Sequence, residues 1–266
     1  MFDTVAQKLK GSKKIVFVTG AGISQESGIP TFRGKDGYWR RYDPMKLASI
    51  DAFYDDPKLV WEWYEDRRKN ILSVKPNEGH FAISQMEEFK DVVVLTQNID
   101  GLDGKAGNAD YIAIHGRLDQ MTLYHDQEQA PQHEDFSNSQ PKVQAITTPW
   151  DSVDENNITH SLLEVFNIDS QNQSPTLYQS YKPFVLLFDE YYTELYRISE
   201  ARQRMLDADR IIFMGTSFSV NITQMALEIA ISKNKPIEIV DPDPINIPHL
   251  NVQYHKMKAS TYIQHH

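Results

Sequence analysis

The chain has 266 residues, 40% of them hydrophobic, enough for one large domain or a domain with a small appendage. Its formal charge of −10 argues against a general nucleic-acid surface, and the lack of any cysteine removes disulfides and thiolate metal sites. No apolar run is long enough to span a membrane, and residues 1–10, an amphipathic pattern with Phe2, Val5, Ala6 and Leu9, lack a signal peptide's apolar core, so a soluble cytoplasmic protein with no membrane partner is expected.

Residues 15–18 form a continuous apolar run, which suits a strand buried on both faces of a parallel sheet. Gly20 and Gly22 follow at once and let the backbone turn sharply beside a ligand. Residues 24–27 can open a helix whose free amides face a phosphate. Strand, glycine turn and helix make the dinucleotide-binding arrangement, although Gln25 stands where the third glycine of the strict pattern belongs. Alone, the stretch fits nucleotide binding and an ordinary tight turn equally. Gly28 and Pro30 then bar a long helix, and Phe32 and Arg33 put a ring and a fixed cation beside the turn.

Residues 38–72 read as helical and aromatic-rich, with a helix start at Asp56-Pro57 and with Leu59, Val60, Trp63 and Tyr64 at helical spacing. Pro76-Asn77 ends that segment and residues 80–89 form another helix. Strands are expected at 92–95, 111–114, 184–188, 211–214, 237–240 and 252–254, with helices at 194–206 and 221–232. This alternation predicts an α/β fold, a Rossmann-like doubly wound parallel sheet. Residues 117–182, rich in Gln, Asn, Asp and Ser, break the rhythm and read as a small inserted helical or loop module. The predicted division is a sheet domain from 1–34, 75–116 and 183–266, a helical segment at 35–74, and the insert at 117–182.

Thr96 to Leu102, TQNIDGL, directly follows a strand, and in an open α/β sheet that position lies at the ligand crevice. Gln97, Asn98 and Asp100 can orient a carboxamide and a ribose there, or serve local turn hydrogen bonds. His115 ends the next strand; a lone histidine there is more often structural than catalytic, although its imidazole suits a general base near neutral pH. Tyr64 and Arg67, spaced i, i+3, share a helix face and can grip a carboxylate, unless Arg67 pairs with Glu65 or Asp66. His125, His133 and His160 with Asp126 and Glu134 match no closed metal site, so no metal is expected.

The string GAGISQESGIPTFRG at 20–34 strongly resembles the NAD-binding loop of the sirtuins, the NAD-dependent protein deacylases. TQNIDGL is similar to the sirtuin signature that holds nicotinamide and its ribose, and His115-Gly116 to the pair that supplies the family's catalytic histidine. KPFVLLFDE at 182–190 resembles the substrate-binding strand, with Lys182 for Arg and Asp189 for Gly. GTSFSV at 215–220 and Lys258-Ala259 resemble the later cofactor contacts. Asp103 stands where the family usually has His, and Asp241 where it has Asn. The two cysteine pairs that bind zinc in sirtuins are absent, their first positions falling near Leu123 and Asp126. The resemblance runs from about Lys14 to Ala259, outside the insert.

The resemblance implies NAD as cofactor, held by Gly20, Ala21, Gly22, Phe32, Arg33, Gln97, Asn98, Ile99, Asp100, Gly215, Thr216, Ser217, Asp241 and Ala259. It implies catalysis by His115 with Asn98 and Asp100, on an acylated protein lysine bound along Val185, Leu187 and Phe188, with nicotinamide and O-acyl-ADP-ribose released. Residues 31–40 and 60–68 look most like class III sirtuins, which implies that Tyr64 and Arg67 bind acidic acyl groups such as succinyl or malonyl. Packing around Leu123, Leu162, Val165 and Phe166 is expected to replace the metal. ADP-ribosyl transfer or NAD hydrolysis on the same scaffold, a non-catalytic NAD sensor, and an ordinary dehydrogenase stay open at this stage. The sequence sets no oligomeric state.

Overall fold

The apolar runs become the middle of a parallel sheet because they have polar residues only at their ends. The structure is a computed structural model that describes residues 12–31, 43–86, 91–127, 143–154, 157–249 and 251–265. The expected helix at 1–10, the last residues of the helix at 80–89, Phe32, Arg33, His133 and Glu134 lie outside the described residues. In chain order the elements are β1 (Lys14–Thr19), α1 (Ala21–Gln25), α2 (Ile50–Asp55), α3 (Pro57–Leu72), α4 (Glu78–Met86), β2 (Asp91–Thr96), α5 (Leu102–Lys105) and β3 (Tyr111–Ala113). They continue with β4 (Gly116–Leu123), β5 (Ile146–Thr147), α6 (Ile158–Val165), β6 (Tyr181–Val185), α7 (Ile198–Asp207), β7 (Arg210–Met214), α8 (Asn221–Ser232), β8 (Ile237–Val240), β9 (Val252–His255) and α9 (Ala259–His265).

The chain divides into two compact units, Met1–Asp36 with Val74–Ile114 and Ser199–His266, and Gly37–Ser73 with His115–Ile198. In the first, a six-stranded sheet runs in the order β3-β2-β1-β7-β8-β9, every pairing parallel. Ile15, Val16, Phe17 and Val18 are all at most 2% exposed, so both faces of β1 are covered, as a parallel sheet requires. Ile15, Phe17, Val92, Val94, Ile212 and Met214 form one core cluster with Ile23, Ile83, Met86 and Tyr262. This bears out the expected Rossmann-like α/β sheet.

The second unit departs from the expectation. Residues 184–188 were expected to be a strand of the parallel sheet; the strand is β6, three residues earlier at each end, in a separate antiparallel sheet ordered β5-β4-β6. The pairing partner, β4, falls in the stretch read as loop. Its register against β6 shifts between Gly116 and Met121, and that irregularity erases the alternation by which a strand is recognised. Gly116 has φ +81°, and a Cβ there would lie 2.0 Å from the Phe184 carbonyl oxygen, so only glycine lets β4 begin where it does. The unit boundary follows this pairing: residues 183–198, assigned from the sequence to the sheet domain, fall in the second unit together with Gly37–Ser73.

The helical reading of 38–72 also needs correction, since α2 and α3 are separate helices that meet at Asp56. Asp56 caps α3 by accepting the Leu59 amide at 2.9 Å, with Pro57 following, the start read from the sequence. The second unit's core is aromatic. Trp61 stacks on Phe166 with ring centres 3.5 Å apart, Trp150 meets both edge-on, and Leu162 is fully buried beside half-buried Leu123 and Val165. Among the described residues no three His, Asp or Glu side chains group to hold a metal, and no helix is long and apolar enough to cross a membrane.

Candidate functional site

In the first unit the strand register aligns the loops. Thr19 pairs with Thr96 on one side and with Met214 on the other, and Met214 pairs with Val240. The loops that follow these strands therefore leave from one edge, the carboxyl edge at which open α/β sheets bind ligands. Strand order reverses between β1 and β7, which puts Gly20–Gly22 and Gly215 at the switch point. These turns pack backbone against backbone. The Gly20 amide donates to the Met214 carbonyl at 3.0 Å and the Gly22 amide to the Gly215 carbonyl at 2.9 Å. A Cβ on Gly22 would come within 2.6 Å of the Gly215 Cα, so no side chain can grow into this edge. Such a bare, amide-rich turn fits the pyrophosphate of a dinucleotide.

The loop after β2 is tied to that turn by buried side chains. Asn98 donates through Nδ2 to the Gly20 carbonyl at 3.0 Å and to Ser24 Oγ at 3.1 Å. Ser24 in turn donates to Asp100 Oδ2 at 2.7 Å, and the Leu102 amide donates to Asp100 Oδ1 at 2.9 Å. Gln97 donates to the Thr19 carbonyl at 3.1 Å and to Thr216 Oγ1 at 3.2 Å, while Ile99 stays half-buried. Burial pushes the Asp100 carboxyl up from its ordinary range, against the pull of the Leu102 and Ser24 hydrogen bonds. Asp103 is driven up to about 7 by burial and then by the charge of Asp100, with a hydrogen bond from Thr96 opposing. Ser217 is exposed, and Ala259 is buried at the start of α9. Asp241 follows β8 at the same edge, half-buried, with the Asp243 amide on its Oδ1 at 2.8 Å; burial raises its carboxyl too.

Sequence reasoning missed Ser24 as a participant. Its signal was its place: a hydroxyl directly after a glycine turn, where the helix start faces the ligand edge. It did bring Gln97, Asn98, Asp100, Gly20, Gly22, Gly215 and Thr216 to one hydrogen-bonded group.

In the second unit His115 opens the stretch that leads into β4. Its Nε2 lies 2.9 Å from the Tyr192 hydroxyl, and the two rings stack with centres 5.9 Å apart. The His115 carbonyl accepts the Leu186 amide at 2.9 Å, which fixes the backbone under the ring. Tyr192 was not foreseen, since nothing in the sequence marks it. Tyr64 and Arg67 are both buried on α3. Burial, then the charge of Glu190, pushes the Tyr64 phenol far up, with Arg67 pulling the other way. Arg67 lies 3.5 Å over the Trp63 ring and pairs with Asp66 at 2.6 Å, one of the partners weighed from the sequence.

The two departures in 182–190 have structural partners within this unit. Lys182 is fully buried and pairs with Glu190 at 2.9 Å, while its ammonium also reaches the Val185 carbonyl at 3.2 Å. Asp189 accepts the Ile50 amide at 2.6 Å, at the start of α2. Val185 and Leu187 are buried, and Phe188 is 45% exposed.

Known proteins resemble this chain in sequence and fold. The model of the Sir2 family matches residues 20–222. An NAD-dependent protein deacylase of Leptospira interrogans is 34% identical over 233 residues, 87% of this chain and 82% of that protein. The NAD-dependent protein deacylase 1 of Caldanaerobacter subterraneus is 52% identical over 118 residues, 44% of this chain and 49% of that protein, so this chain spans about half the length of that relative. Among solved structures, a Sir2 homolog–NAD complex superposes with a TM-score of 0.73 at 28% identity, covering 100% of this chain and 92% of that one.

Proposed function

This chain belongs to the Sir2 family of NAD-dependent enzymes, and from that premise we propose that it is an NAD-dependent protein-lysine deacylase that prefers acidic acyl groups such as succinyl or malonyl. The observation that supports this most is the buried Asn98–Ser24–Asp100 set tied to the Gly20 turn at the sheet's carboxyl edge. A carboxamide and a ribose need a fixed amide and a fixed carboxylate, and that set supplies both. When bound, NAD supplies an activated ribose carbon that releases nicotinamide and takes up the acyl group. Gly20, Ala21, Gly22, Arg33, Thr216 and Ser217 hold the phosphates and the neighbouring ribose, and Phe32 shields the reactive ribose carbon from water. Asp241 and Ala259 serve the adenosine end, and Ile99 with Gln97 lines the ribose. Asn98 and Asp100 orient the nicotinamide and its ribose.

His115 acts as general base through Nε2, which takes a proton from a ribose hydroxyl. The Tyr192 hydroxyl at that nitrogen holds the ring in orientation. Val185, at the end of β6, with Leu187 and Phe188 after it, lines the path along which the substrate peptide lies, Phe188 meeting it with its exposed ring. Tyr64 and Arg67 share one buried face of α3, and a guanidinium lying over Trp63 is preorganised to meet a distal carboxylate. Measuring nicotinamide release from NAD with and without a succinyl-lysine peptide tests the reading. Release that requires the peptide is expected. Equal release without peptide would indicate NAD hydrolysis, and an ADP-ribosylated peptide would indicate transfer.

A further inference from the structure

We propose, building on the deacylase reading, that Asp103 is a positioning residue for the cofactor loop: through Thr96 it fixes the backbone of Asn98, and the charge it carries at the far end of that hydrogen-bonded chain sets how firmly NAD is held. Asp103 is 1% exposed, in the first turn of α5. The Thr96 hydroxyl donates to its carboxylate and accepts the Asn98 amide at 3.2 Å. Asn98 continues to Ser24, and Ser24 to Asp100, so the two carboxyls stand at the two ends of one buried chain of hydrogen bonds. Asp103 Oδ1 has no hydrogen-bond partner among the described residues, nor has the nearby Asn108 Oδ1, whose side-chain amide donates to the Asp103 carbonyl at 3.1 Å. A lone buried carboxylate oxygen is costly, whereas a protonated one carries its own donor.

The surrounding charges sharpen the point. Lys105 acts on Asp100, which favours placing the charge there and the proton on Asp103. His80, on α4 packed against α5, is fully buried and held neutral by burial, which lowers it to about 4, so it offers no compensating cation near neutral pH. Tyr111 of β3 packs against Gly104 of α5, and Glu78, in the same first turn of α4 as His80, is exposed. Two carboxyls in one water-poor site titrate as a pair and keep a proton between them near neutrality. Burial and the Asp100 charge accordingly push Asp103 up to about 7. Ser24 and Leu102 donate to Asp100 and pull its carboxyl down against its burial. Above about pH 7 a charge on Asp103 adds to the repulsion from Asp100, and the Thr96–Asn98–Ser24 chain is set against it.

Calorimetric titration of NAD into the full chain from pH 6 to 8.5 tests this, with Asp103→Asn and Thr96→Val alongside and thermal melts as the folding control. The wild-type Kd is expected to rise about three- to tenfold across that range, the coupling expected of two linked binding events. Asp103→Asn should bind with a Kd flat in pH. Thr96→Val, which keeps shape and removes the hydroxyl, should weaken binding already at pH 6, and it carries the test if Asp103→Asn does not fold. A wild-type Kd flat in pH, a slope shared by Asp103→Asn, or an unchanged Kd in Thr96→Val overturns the inference while leaving the deacylase reading in place. No NAD binding by the folded wild type at any pH overturns both.

Discussion

Two buried acidic centres in the sheet unit carry the same functional group and behave oppositely. Glu238, on β8, receives Arg210 from β7, His255 Nε2 from β9 at 2.8 Å and the Tyr262 hydroxyl from α9 at 2.7 Å. Burial alone would raise it, but those donors and the Arg210 charge hold it down to about 2. Asp103, buried as deeply, has one hydroxyl donor and a like charge for a neighbour, and stands at about 7. Desolvation is common to both; the supply of donors decides the sign. The Glu238 centre crosslinks three strands and a helix and is saturated, which suits stability. The Asp100–Asp103 pair lies at the ligand edge and is under-supplied, which suits a site that must respond to what it binds.

If that contrast is right, activity and stability are lost in different places. The largest effect on activity is expected in the second unit: His115→Ala should cut deacylation about 10²–10⁴-fold, the contribution of a positioned base, with NAD binding and melting temperature little changed. A near-wild-type rate would make His115 structural. Glu238→Ala should do the reverse. It leaves Arg210 without its buried counter-charge and should cost about 3–5 kcal/mol in urea unfolding, with per-molecule activity retained in the folded fraction. Because the folded pKa of Glu238 lies below its unfolded value of about 4.5, its contribution is present above that value and is lost as pH falls toward about 2. The wild type should therefore lose stability across that acid window and Glu238→Gln much less so.

Arg67→Met keeps the length and removes the charge. It should erase a preference for succinyl- over acetyl-lysine of about ten- to hundredfold in kcat/KM and spare acetyl-lysine turnover. An unchanged ratio would leave Arg67 as the partner of Asp66 and Trp63 and nothing more. The smallest expected effect lies at Asp103, where the sign is opposite to that at Glu238. Its folded pKa is raised, so its contribution is full below about 3.8 and declines as pH rises through about 7. Asp103→Asn should then be more stable than the wild type at pH 8, by roughly 1–2 kcal/mol, with little difference at pH 4. A mutant that is equally destabilised at both pH values would put Asp103 with the saturated, structural class.

The sheet and its ligand edge were readable because buried parallel strands leave continuous apolar runs, and because the turns after them follow at once in sequence: Gly20–Gly22 after β1, Gln97–Asp100 after β2, Gly215–Ser217 after β7. What was not readable depends on residues far apart in the chain. Ser24 matters through Asp100, 76 residues on. Lys182 stood out only as a departure from the family's strand, and its pairing with Glu190 appears once β6 folds against β4. The second sheet hides behind a register shift, and the Glu238 centre takes its partners from three other elements.

The most direct test of the central claim is a mass balance by mass spectrometry for the wild-type chain given NAD and a succinyl-lysine peptide. Equal amounts of nicotinamide, unmodified lysine peptide and O-succinyl-ADP-ribose are predicted. Nicotinamide with free ADP-ribose and an untouched peptide, or a peptide carrying ADP-ribose, would contradict it.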